Sequence, residues 1–115
     1  MSAKGKADPG FPTEIRCQAL RYRVISDPDL AAKDEGSWGL IHHHDATVRI
    51  AAQLEPRTKA ETLIHESIHV IWTSSADHRE NKNEALVDRT AGGILDVLLN
   101  SPGLLEYLIA VRDAE

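Results

Sequence analysis

Thr62-Leu63-Ile64-His65-Glu66-Ser67-Ile68-His69-Val70-Ile71-Trp72 is the stretch that decides how this chain is read. It contains His-Glu-x-x-His. On a helix of about 3.6 residues per turn, His65 and His69 lie one turn apart on one face, so both imidazoles reach one metal ion. Glu66 is turned about 100° from His65 and flanks that face. Around the wheel, Ala60, Leu63, Ile64, Ile68, Val70, Ile71 and Trp72 cover most directions. One sector stays polar, holding Thr62, His65, Glu66, His69 and Thr73. A helix apolar nearly all round is buried. Its buried histidines and glutamate then need partners, because unpaired polar groups are costly there. A metal ion would supply one; a hydrogen-bonded structural cluster is the alternative.

The flanks set the limits of this helix. Pro56 suits a first turn, and Thr58-Lys59-Ala60-Glu61 has the Thr-x-x-Glu pattern of a capping box. The helix is therefore expected from about Pro56–Thr58 to Thr73–Ser74, with a polar loop from Ser74 to Lys82. Upstream, Trp38 to Ala52 reads as a hairpin turning near His44-Asp45-Ala46, with β-branched residues on its return. His42-His43-His44 sits at its tip. Strand side chains alternate faces, so the three cannot share one ion. They are a solvated hairpin end, or one of them leans over the metal cleft. Earlier still, Leu20 to Ile25 alternates as a strand, with a short helical start before it as an option. Asp27-Pro28-Asp29 ends that segment. Leu30 to Asp34 suits a helical turn, and Glu35-Gly36-Ser37 a chain reversal.

Downstream, Asn83 or Asn81 opens a second helix running to about Asn100. Ser101-Pro102 starts a third, with Ser as N-cap and Pro at the first helical position, and Leu104, Leu105, Leu108, Ile109 and Val111 as its apolar face. Strands first and helices after make an α+β domain. We expect a short antiparallel sheet of about three strands, packed on a buried metal-binding helix that two further helices follow.

The chain has 115 residues and a net charge of −5, which suits one domain and leaves no basic footprint for nucleic acid. The lone Cys17 excludes an internal disulfide and fits a reducing, cytoplasmic compartment. No apolar run reaches membrane-spanning length. Residues 1–12 are polar with Gly and Pro, read as a flexible tail before a single domain at 13–115.

Catalytic zinc usually takes three protein ligands and keeps one position open. Glu84 is the expected third ligand. It lies on the apolar stripe of the second helix formed by Val87, Ala91, Ile94, Leu95 and Leu98, where a carboxylate needs a cation or a donor. An Asn81-x-x-Glu84 capping box is its alternative role. Asp88, one turn further on that face, is placed to accept the other ring N–H of His65 or His69. Its alternative is an ordinary polar flank.

His65-Glu66-x-x-His69 followed by Glu84-x-x-x-Asp88 resembles the gluzincin pattern of zinc metallopeptidases. The compact form resembles the ImmA/IrrE-like family, which includes small phage-encoded members. Glu84, Val87-Asp88, Ala91 and Ile94-Leu95 stand at the spacing of that family's second motif. The likeness covers roughly residues 38–100 and is specific at the two motifs. It implies a short sheet on the metal helix, zinc held by His65, His69 and Glu84, Glu66 as general base and Asp88 orienting a ligand. The chain departs from the pattern in a short gap before Glu84, in Val87 for a smaller residue and in Thr90 for an aromatic one. Unlike the larger regulatory members, it is not expected to carry a separate DNA-binding domain.

The expected activity is hydrolysis of a peptide or protein substrate. Glu66 would take a proton from the water that zinc activates and pass it to the leaving amine. Donors for the oxyanion are sought among His78, Arg89, Tyr107 and one of His42 to His44, with His44 favoured at the tip. An extended substrate would lie along an edge strand, taken as Thr47 to Ala51. The rival reading is a zinc-stabilised module that binds a protein partner without turnover.

Overall fold

The computed structural model describes residues 10–30, 38–74 and 78–114, apart from the side chain of residue 78. Most of the turn expected at residues 30–37 lies outside them. The described chain forms β1 (Glu14–Cys17), β2 (Leu20–Asp27), β3 (Gly39–His42) and β4 (Thr47–Ala51). Four helices follow: α1 (Pro56–Ser74), α2 (His78–Asn81), α3 (Glu84–Asn100) and α4 (Leu104–Ala114). The α+β class is as expected. The sheet, however, has four strands and is mixed, in the order β1-β2-β4-β3.

β1 takes the place of the optional helical start. It joins β2 through a tight turn in which Gln18 adopts φ 57°, and Ile15 pairs with Tyr22. The β3–β4 hairpin turns at residues 43–46, with Ala46 at φ 53° and Ile41 opposite Val48. β4 then pairs in parallel with β2, Val24 beside Val48. The reason for this inner position lies in its composition. Val48 and Ile50 are fully covered, and Thr47 and Ala51 are buried, which is the near-continuous burial of an interior strand. β3 is left at the edge, so the edge expected at Thr47–Ala51 belongs instead to Gly39–His42.

α1 lies between two cores. On one side Val70 joins Tyr22, Val24, Val48 and Ile50 of the sheet, with Leu63 packed against them. On the other, Ile68 packs with Val87 and Ala91 of α3, flanked by Ile64 and Trp72. This double contact is why the helix is apolar nearly all round, although Ile71 remains exposed. Phe11 packs on the first core, and the ammonium of Lys59 stands 4.4 Å over its ring.

The helix ends correct the expected caps of α1 and α4. α1 begins at Pro56, so Thr58 is already inside the first turn, where its carbonyl accepts from Thr62 Oγ1 at 2.8 Å. For α3 the first of the two expected caps holds: Asn83 Oδ1 accepts from the Leu86 amide at 3.1 Å. α4 starts two residues beyond Pro102, because Gly103 at φ 79° is not helical. None of its residues is buried, and Leu105, Tyr107, Leu108, Ile109 and Val111 are 40–66% exposed. Among the described residues no single helix is long and apolar enough to cross a membrane.

Candidate metal centre

The α1–α3 packing brings the first turn of α3 over His65 and His69. Glu84 Oε1 lies 3.0 Å from His65 Nε2 and 3.2 Å from His69 Nε2. One donor atom from each of the three residues falls within 4.8 Å of the others, and the group can hold a metal ion. The rings stand at 62° with centroids 5.1 Å apart, so they face a shared point without stacking.

The outer nitrogens explain how the rings are set. His69 Nδ1 lies 2.7 Å from Asn81 Oδ1, and Asn81 Nδ2 donates to Thr73 Oγ1 at 3.0 Å. His65 Nδ1 faces Asp88 Oδ1 at 3.4 Å. Each Nδ1 meets an oxygen acceptor, and in the tautomer that donates there the Nε2 lone pair is turned toward Glu84. In that tautomer two nitrogen lone pairs and a carboxylate oxygen converge on one point. That donor chemistry fits a divalent metal.

Glu66 lies beside this group and is only 6% exposed. Burial pushes its carboxyl above the usual carboxylate range; the His65 and His69 rings pull it back down, and Glu84 adds to the rise. It accepts no hydrogen bond from any described residue. The strand backbone at Gly39 passes so close that a Cβ there would stand 2.6 Å from Glu66 Oε2 and 2.9 Å from Thr62 Cγ2.

Two hollows open on either side of Glu66, and Gly39, His65 and Glu66 line both. The larger, about 700 Å³, runs past Leu40, Ile41, His43 and Glu84. The smaller, about 410 Å³, is bounded by Trp38, Glu61 and Asp88. Together they follow the outer edge of β3, which among the described residues pairs only with β4.

His65, His69, Glu84, Glu66 and Asp88 thus meet at one place. The other sequence candidates do not. His44 is exposed at the hairpin tip beside His42, and Tyr107 is 66% exposed on α4, away from both hollows. Arg89 is exposed and lines neither hollow. The side chain of His78 lies outside the described residues. His43 is the member of the triplet that reaches the cleft, with Nδ1 2.7 Å from the Tyr22 hydroxyl. The sequence pattern points to no role for Gly39 here, and for Asn81 only to a helix cap. No family model matches this chain, and no curated protein or solved structure does so either.

Proposed function

We propose that this chain is a zinc-dependent peptide hydrolase of compact gluzincin type, resembling the ImmA/IrrE-like family. The observation that carries the reading is the convergence of three metal-accepting atoms beside a buried carboxylate, next to the edge strand β3. His65, His69 and Glu84 would hold the ion. Two imidazole nitrogens and a carboxylate oxygen are a donor set that zinc would accept. Bound zinc supplies Lewis acidity, polarising a carbonyl and making water acidic enough to ionise near neutrality.

The chain's own residues do the rest. Glu66 takes a proton on its carboxylate from the attacking water and delivers it to the leaving nitrogen. Asn81 and Asp88 hold the two rings in the ligating tautomer. Tyr22, donating its hydroxyl to His43 Nδ1, leaves the ring proton on Nε2, where it can meet a developing oxyanion. The outer edge of β3 pairs with an extended substrate and fixes its direction.

Among the described residues no fourth His, Cys, Asp or Glu joins the ligand group. The buried Glu66 beside the group supports catalysis over the zinc-stapled binding module, which has no use for a general base. The test is metal analysis paired with a peptide library. The native chain should bind one zinc and cleave. Glu66→Gln should keep the metal and lose about 10²–10⁴-fold in rate. Full activity in that variant would remove the general-base assignment, and zinc binding with no cleavage of any peptide would favour the binding module.

A further inference from the structure

The smaller hollow has a chemistry of its own. Its floor is the α1 stripe Thr58, Glu61, Thr62 and His65, spaced at i, i+3, i+4 and i+7. Its walls are the indole of Trp38, 54% exposed, and the carboxylate of Asp88. Among the described residues no lysine or arginine lines it. Glu61 forms no hydrogen bond or ion pair with any described residue. Glu66, more than nine-tenths buried, turns a carboxylate without a hydrogen-bond donor toward the same space. The larger hollow contrasts with it, carrying Lys82 and His43 beside Leu40 and Ile41.

We propose that the hollow under Trp38 is a subsite for a cationic side chain, lysine or arginine, of a peptide laid along β3. This rests on the hydrolase reading above and adds a substrate class to it. An aromatic face and carboxylates attract an ammonium or guanidinium from two sides. The position suits the task. Glu61 lies one helical turn, about 5.4 Å, before His65. Residues of an extended peptide advance about 3.3 Å each, so the side chain one or two places from the scissile bond reaches Glu61. Only one flank of the cut site is acidic, so the preference applies to one side of the bond.

The test uses the native zinc-loaded chain, which keeps Glu66, and peptides made uncleavable by ketomethylene linkages beside the basic residue. Two blocked peptides are titrated that differ only in arginine against citrulline, its neutral near-isostere. The arginine peptide should bind about 5–10-fold more tightly, a difference that Glu61→Gln sharply reduces and Trp38→Ala weakens further. Glutamine matches glutamate in size, so the fold is not at stake. Equal affinity for the two peptides, no binding of either, or a preference untouched by both substitutions would overturn the subsite. Cleavage by the native chain fails separately: cutting without basic preference removes only the subsite, whereas arginine-selective binding with no cutting removes only the hydrolase.

Discussion

Asn81 shows how one residue can be read correctly as polar and wrongly as to purpose. Its spacing to Glu84 suits a cap, yet Asn83 caps α3 and Asn81 sets the His69 ring instead. Asn81→Ala should weaken zinc binding about 10–100-fold, measured by competition with a chromogenic chelator, while the far-ultraviolet spectrum stays native. Unchanged affinity would show that the Asn81 contact does not tune the ligand. The legible residues share one property. His65, Glu66 and His69 sit on a single helix, where pitch alone fixes their relation. Glu84 and Asp88 were legible from their place on the stripe of α3 that faces α1, although both side chains stay about two-thirds exposed and are not forced to a partner by burial. Asn81, Gly39 and the choice of His43 over His44 depend on how loops bring separate elements together. No local period encodes that.

At the scale of elements, the hairpin and α1 could be read from pattern, and the sheet order could not. β3 and β4 alternate and flank a turn, so their antiparallel pairing is local information. The parallel pairing of β2 with β4 spans a connection that contains β3 itself, and only the burial of both faces of β4 selects it. That choice decides which strand borders the cleft. It also places Gly39 against Glu66, with no room for a side chain. Gly39→Ala should push strand and helix apart by a few tenths of an ångström and displace the Glu66 carboxylate. We expect peptide cleavage to fall by at least about tenfold with zinc binding retained, since misplacing a catalytic group by about 1 Å costs up to 10²-fold. An alanine variant of native rate would show that the close approach is incidental to catalysis.

On the scale of the whole molecule, α1 is the shared wall of two cores, and everything bearing on the site touches it. The sheet supports it from one side and α3 from the other, so the ligand geometry and the stability of the fold depend on the same contacts. α4 stands outside this arrangement. It turns away from α3 at 89° and buries none of its side chains. Deleting residues 104–115 should therefore move the thermal midpoint by no more than about 4 °C, as surface changes do, and leave zinc affinity as it was. A fall beyond about 10 °C would mean that this helix carries folding energy. Shedding its greasy exterior should also let the shortened protein stay dispersed at concentrations where the longer one clumps.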